Sequence, residues 1–585
     1  MKIKVRDEVA LQQKILLCMA LFCFTNSVHA FLGKTFLQNR SQSNNSARLW
    51  AGFPLVSVIE EQARARSEDV VYAFEVVPEY TRTFKSDKIA QYFFGSQNVV
   101  VSGSRSGNRG PNDILADYLG LPSDYRSTLN FCPVIKNFLV DFYWRADFGC
   151  FAEGLSLTIH APIVYTQWNL NLQETIASAG TNFSPAGYFG STRITRSELV
   201  PSAASFFAGG NVFGDMQSPL KYGLIPQCRK TKVRLSDIQA FLQWDFVNQE
   251  DCKVGFEIFG SAPAGNRPEG CFLFEPIVGN GKHWELGAGL NGYLTLWESQ
   301  KCNRVGGFFG QLLVSHLFKA DQRRSFDFIN NGPGSRYMLL EEIRTLVCGL
   351  QIPAGVTPPN QYQGVLVTAI NKTTLPCSIS VPAQVDLLLK LNMRAGGFDA
   401  EVGYNLWFRM AERLNCRKRF KENKYGVKGD AQIYGFALPN PPGSPVPLNA
   451  TQHNATLHAG QGVGNASFTN ANADNAANAF DTVSGNLDNL TAADAIASGV
   501  GLADANSSNP AILLTDSDID NCSALSPKAI SHKFFVHAGY AGKELNNCWI
   551  PYFGIGAEAE ISCFCFTTNS AVSQWGVWIK GGLSY

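Results

Sequence analysis

From Asn137 to Tyr585 the chain alternates apolar and polar residues in eleven stretches, and the links between these stretches are sharply unequal in length. Period-two alternation marks strands with one apolar and one polar face. In the first stretch Phe138, Val140, Phe142, Trp144, Ala146 and Phe148 share one face, with Asp141, Tyr143, Arg145 and Asp147 on the other. The parity restarts over Leu155 to Tyr165 and slips at Thr166-Gln167, which reads as a β-bulge before Trp168. It recurs from Ile238 to Phe246, Val254 to Ile258, Trp284 to Leu296, Phe308 to Phe318, Val385 to Met393, Phe398 to Met410, Phe534 to Tyr540 and Phe553 to Ala559. The last stretch ends the chain, with Trp575, Val577, Ile579, Leu583 and Tyr585 on one parity. Gln574, Lys580 and Ser584 take the other, together with Trp578, the one large apolar residue on the polar side.

Each stretch has about the ten residues that a tilted strand needs to cross a hydrocarbon layer. Short links (149–154, 248–252, 298–303, 395–397 and 542–548) join strands in pairs, and long ones (173–234, 263–283, 319–383 and 412–530) join pair to pair. If the terminal strand runs inward, every short link falls on the periplasmic side and every long one outside. A soluble barrel has no reason to segregate its loops this way, whereas an outer-membrane barrel does. The fold class is therefore all-β: a closed antiparallel transmembrane β-barrel with short periplasmic turns and long extracellular loops. Parity requires an odd number of strands before Asn137. Val70 to Phe84 supplies one, Gln97 to Ser104 and Arg126 to Ile135 offer two more, and a further pair can lie around Val427 to Phe436. The count is at least about 12, with an expected range of about 14 to 18. At that size the interior exceeds what wall side chains fill, and an aqueous channel follows unless a segment plugs it.

Residues 1–30 have the form of a secretory signal. Lys2, Lys4, Arg6 and Lys14 precede the apolar run Ile15 to Phe24, and Val28-His29-Ala30 offers small residues for cleavage after Ala30. The expected location is the outer membrane of a Gram-negative cell. Residues 31–68 are polar and uneven, either a periplasmic lead-in or a segment folded into the lumen, and 69–585 form the barrel. The Asn/Ala/Ser/Gly-rich stretch 449–509 reads as a low-complexity external loop.

The polar face of the strands carries the functional candidates. The residues expected to line the pore are Asp141, Arg145, Asp147, Asp237, Asp245, Glu285, Asp386, Lys390, Arg394, Asp399, Glu401, Arg409, Lys533, Glu558, Glu560 and Lys580. A lipid-facing Arg or Lys at mid-depth costs about 2–4 kcal/mol, so most of them belong inside. Acids outnumber bases in this set, which predicts a weak preference for cations. Removal of the signal takes Cys18 and Cys23. The disulfide candidates in an oxidising compartment are then Cys132, Cys150, Cys228, Cys252, Cys271, Cys302, Cys348, Cys377, Cys416, Cys522, Cys548, Cys563 and Cys565. Their odd number leaves a free thiol or a bond to an envelope neighbour.

Gly287-Ala-Gly289-Leu-Asn-Gly292 matches a dinucleotide-binding pattern, but it lies inside an alternating strand rather than between a strand and a helix. Asp516-Ser-Asp-Ile-Asp520 opens like a calcium loop and lacks its glycine and closing glutamate. His160, His283, His316 and His537 have no metal-ligand spacing. No catalytic residue, metal or cofactor is expected. A net charge of +1 speaks against nucleic acid as a partner. The partners expected are outer-membrane lipid, the barrel assembly machinery that reads a terminal aromatic strand, and either a homo-oligomer or disulfide-linked neighbours.

Asp113 to Pro122, Ile159 to Ile163, Phe274 to Leu286 and Glu401 to Phe408 together resemble outer-membrane porin-like proteins of chlamydia-like and other amoeba-associated bacteria. That resemblance implies a cysteine-containing porin that passes small hydrophilic solutes. The long Asn/Ala-rich loop has no counterpart in it, which leaves a second reading, a surface adhesin or host-contact protein on a barrel scaffold. An outer-membrane hydrolase would be a third, but no catalytic motif supports it.

Overall fold

The computed structural model describes residues 33–52, 70–107, 109–249, 251–299, 304–345, 360–436, 445–447, 451–460, 511–542, 549–562 and 569–584. The signal-like residues, most of the 449–509 stretch and Tyr585 lie outside them. Twelve strands close into an antiparallel ring: β1 (Val71–Thr83), β2 (Val134–Asp147), β3 (Leu155–Asn169), β4 (Ile238–Asn248), β5 (Cys252–Ala262), β6 (Glu285–Ser299), β7 (Arg304–Ser325), β8 (Thr374–Ala395), β9 (Phe398–Arg409), β10 (Ala529–Ala541), β11 (Ile550–Ser562) and β12 (Gln574–Ser584). Each pairs with its sequence neighbours, and β12 closes on β1 in the register Glu79↔Trp578 and Glu75↔Gly582. The strand ends that flank the short links 148–154, 249–251, 300–303, 396–397 and 542–549 lie at one rim, and those that flank the long links at the other. No helix among the described residues is long and apolar enough to cross a membrane; the spans are strands.

Twelve is the floor of the expected count and falls short of 14 to 18. The extra strands exist, but they are too short to span. Asn98–Ser102 and Arg126–Asn130 join a four-stranded sheet with Ile114–Leu115 and Gln173–Ser178 outside the ring. Tyr425–Val427 joins a three-stranded sheet outside the ring, and Tyr434–Phe436 pairs with Pro445–Pro447. These strands run two to six residues, against the nine or so that a crossing requires. The bulge expected near Thr166 is likewise absent, because the β2–β3 ladder runs unbroken from Val134↔Asn169 to Asp147↔Ser156. The apolar residues change parity there because β3 leaves the hydrocarbon. Tyr165 still faces outward, whereas Trp168 turns inward and packs on Phe274.

The alternation is borne out in the burial pattern. Phe74, Phe142, Leu290, Phe534, Ile555 and Ile579 are exposed around the outside of the ring, while the intervening residues are buried inside. The glycines of the dinucleotide-like pattern sit within β6, where β7 passes close. A Cβ on Gly287 or Gly289 would lie 2.6 or 2.5 Å from the carbonyl oxygens of Val314 and Leu312. They permit strand approach rather than phosphate binding.

The long links build a cap with its own apolar core, including Phe93, Tyr125, Phe189, Phe207, Leu340 and Ile370, which continues onto the tops of the wall strands at Ile135, Trp168 and Ile379. Within it Lys428 is buried. Its ammonium donates to the carbonyls of Gly429 and Ala431 and lies 3.5 Å from the centre of the Tyr188 ring. Burial pushes Asp430 up to about 7 and Lys428 down to about 7, and pushes Glu341 and Asp117 up as well. The raised Asp430 contributes stability that is full below the ordinary carboxylate range and is lost as pH climbs to about 7. The lowered lysine contributes stability that grows from about pH 7 towards its ordinary value near 10.4. The cap should therefore be least stable near neutrality, and Asp430→Asn should flatten the acid limb. Urea midpoints at pH 5, 7 and 9, followed by near-UV circular dichroism, check both statements.

Candidate functional site

The centre of the ring holds residues 33–52. The segment starts against the cap, where the Lys34 ammonium donates to the Cys522 carbonyl, Arg336 donates to the Gly33 carbonyl and the Tyr92 hydroxyl donates to the Phe36 carbonyl. It descends through the barrel and ends at Gly52 beside Tyr552, near the short-turn rim. Its last turn is a short helix, α1 (Ser46–Trp50), and the Asn45 side chain caps it by accepting from the Arg48 N–H.

Polar contacts radiate from this segment to seven wall strands. At the upper level Arg40 pairs with Asp386 of β8 and with Glu560 of β11 (3.4 Å). It also donates to Asn405 of β9 (3.0 Å), and its guanidinium stands 5.5 Å from the centre of the Trp407 ring. Below it the Asn45 amide donates to Glu79 (3.2 Å) and Glu558 (3.1 Å), and its carbonyl accepts from Lys533 (3.0 Å), which is itself 2.8 Å from Glu558. Arg48 pairs with Glu79 of β1 and with Asp141 of β2 (2.7 Å), and donates to the Tyr143 hydroxyl (3.1 Å). At the foot, carbonyls at the C-terminal end of α1 meet cations from the wall. Arg145 donates to the Leu49 carbonyl, Lys390 to that of Trp50, and Lys580 to that of Ala51. Cations at a helix C-terminus complement its unpaired carbonyls. The Gly52 N–H donates to Glu401.

Apolar packing seats the helix. Ala47, Leu49, Trp50 and Ala51 lie among Tyr143, Phe241, Phe259, Phe309, Phe535 and Trp578, all buried inside the ring. Trp578 takes the polar parity yet stays dry, because it belongs to the buried apolar cluster that includes α1. Its ring lies parallel to His537 with centroids 6.3 Å apart, over Gly556, where a Cβ would come within 2.3 Å of the indole. At 1% exposure Trp578 is closed off from any lumen solvent.

All sixteen charged residues picked from the strands are buried within the ring or half-buried at its rims. Nine of them (Asp141, Arg145, Asp386, Lys390, Glu401, Lys533, Glu558, Glu560 and Lys580) bond to the segment directly. Asp237, just ahead of β4, accepts from Ser41. Asp245, Glu285, Asp399 and Arg409 are held by wall or loop groups instead: Gln243, Ser315, Tyr552 and Ser570. Asp147 and Arg394 sit half-buried near the short-turn rim. Glu75, Glu79 and Glu257 belong with them and were missed, although Phe74, Val76 and Tyr80 mark the parity of the first two. Arg40 and Arg48 could not be picked by parity, because no strand carries them.

Eight of the disulfide candidates are described, and all are free: Cys132, Cys150, Cys228, Cys252, Cys271, Cys377, Cys416 and Cys522. Cys302, Cys348, Cys548, Cys563 and Cys565 lie outside the described residues. Asp516 accepts from Arg417 and the Phe420 N–H, and Asp518 closes a capping box with Thr515. The calcium-like stretch is thus engaged in its own turn. No group of three or more metal-ligating side chains occurs among the described residues.

No family model matches the chain, and no curated protein does. Among solved structures it is similar to an outer membrane channel from Pseudomonas putida F1, at 7% identity and TM-score 0.30, covering 88% of this chain and 95% of that one. It is also similar to the transport unit of the autotransporter AIDA-I from Escherichia coli, at 5% identity and TM-score 0.27, covering 88% and 90%. A Pseudomonas aeruginosa FadL homologue gives 6% identity and TM-score 0.24 with the same coverage. At such identities and TM-scores the likeness adds nothing to the strand pairing, which establishes the closed antiparallel barrel on its own.

Proposed function

We propose that this protein is an outer-membrane channel for small hydrophilic solutes, held closed in this conformation by residues 33–52. One observation supports the reading above others: the interior is filled by a tethered segment that meets the wall largely through ion pairs and hydrogen bonds. Wall side chains alone fill only narrower barrels, of about eight strands. Here the wall keeps a charged lining that would suit water once the segment withdrew. The lining favours cations, since Glu257 and Glu285 are held by neutral donors, Gln311 for one and Ser315 and Gln384 for the other.

Planar-bilayer recordings test this. The wild type should show small, infrequent openings, and Arg40→Ala/Arg48→Ala should show long openings whose reversal potential in a potassium chloride gradient is cation-selective. A folded double variant that never conducts would overturn the reading. The cap, with a core of its own, favours host contact as a second role. It predicts that replacing the cap links abolishes cell binding while the double variant's conductance survives.

A further inference from the structure

We infer that the lumen carries two built seats for guanidinium or ammonium groups, which Arg40 and Arg48 of the chain itself occupy when the channel is closed. Basic solutes are then the class that the open channel binds and passes. The inference rests on the channel reading, and it names the solute class.

The wall's own charges show why these seats need a cation from elsewhere. Glu75 is matched by Arg145 (2.9 Å) and Lys580 (3.0 Å), Glu401 by Lys390 (3.1 Å), and Glu558 by Lys533 (2.8 Å). Glu79 and Asp386 form ion pairs with the segment alone among the described residues, through Arg48 and Arg40. Withdrawal of the segment would leave both carboxylates without their ion-pair partners and open to the lumen. Unpaired carboxylates on the lumen wall draw a mobile cation to the same place.

The seats are also shaped for the group that fills them. The upper one offers Asp386 to one terminal nitrogen of the guanidinium and Glu560 and the Asn405 carbonyl to the other, with the Trp407 ring centre 5.5 Å from its carbon. The lower one offers Glu79, Asp141 and the Tyr143 hydroxyl. Planar multidentate recognition of this kind distinguishes guanidinium from a cation that cannot donate hydrogen bonds. Each seat draws its carboxylates from different strands, so each exists only once those strands have paired.

Chemical rescue of Arg40→Ala/Arg48→Ala is the test. Methylguanidinium at millimolar concentration should raise the temperature at which the variant loses its heat-modifiable gel mobility back towards the wild-type value. Tetramethylammonium, of equal charge but without donors, should fail to do so. In bilayers methylguanidinium should block the variant's potassium current at a concentration at least about tenfold lower than tetramethylammonium, a gap worth about 1.4 kcal/mol. Adding Glu79→Gln and Asp386→Asn should remove the difference. Equal effects of the two cations, with current present, would overturn the seats while leaving the channel standing. Rescue by methylguanidinium without current in any variant would uphold the seats and overturn the channel.

Discussion

Arg48→Met should leave a barrel that assembles but holds residues 33–52 weakly, with a loss of about 3–5 kcal/mol in the segment's attachment. Arg48 is buried between Glu79 and Asp141 and supports the Tyr143 hydroxyl. Methionine matches much of the volume and supplies no charge, so Glu79 keeps only the Asn45 amide as a donor from the segment. Asp141 retains His160 at 3.1 Å. Arg40→Met should cost less, because Glu560 keeps Ser531, Gln574 and Lys533, and Asp386 keeps the Asn405 amide. The backbone ladders of the twelve strands are untouched by either change. The loss should therefore appear as a lowered first transition in heat-modifiable gel mobility, ahead of barrel unfolding. Adding Glu79→Gln to Arg48→Met should recover part of it, since removing the orphaned charge removes the larger penalty. Equal losses from Arg40→Met and Arg48→Met would contradict this account.

Trp578→Ala should cost about 3–5 kcal/mol, the usual price of emptying a buried aromatic site. The indole is buried in the apolar cluster that includes α1, over Gly556 and beside His537. The cavity it leaves is bounded by strands that cannot collapse, because the ring fixes their spacing. Trp575→Ala, three residues away on the lipid face, should cost far less in detergent, where micelle tails replace the lost contacts. Gly556→Ala should act in the opposite sense at the same place. Its Cβ would press on the indole and cost about 1–3 kcal/mol by overpacking. Thermal midpoints of the three variants in one detergent would separate emptying from crowding.

The wall was legible in the sequence, and its contents were not. Period-two runs such as Phe138 to Phe148 read out both faces because a strand's side chains answer to their immediate surroundings, lipid or interior. Loop lengths then gave direction to the strands. Both signals failed wherever the surroundings changed without a change in local pattern. Asn98–Ser102 alternates like a wall strand but pairs in a sheet outside the ring, and β3 runs straight through the point where its apolar residues change sides. Arg40 and Arg48 sit in a stretch with no period, and the partners they need lie 31 to 520 positions away. Trp578 looked anomalous for the same reason, since the buried cluster it joins includes α1, which no strand pattern announces. Glu75 and Glu79, by contrast, could have been picked from the alternation of β1.

The foot of the segment also touches the seam of the ring. β12 and β1 are the two ends of the strand order, and the Lys580–Glu75 pair bridges them. Lys580 donates to the Ala51 carbonyl, while Arg145, one strand further on, donates to the Leu49 carbonyl and stacks its guanidinium 5.2 Å from the Trp50 ring centre. A slip of β12 by one residue would carry Lys580 to the lipid face and leave those contacts unmade. The threaded chain thus serves as a gauge for closure: the cylinder fits its own strap only when first and last staves meet in register.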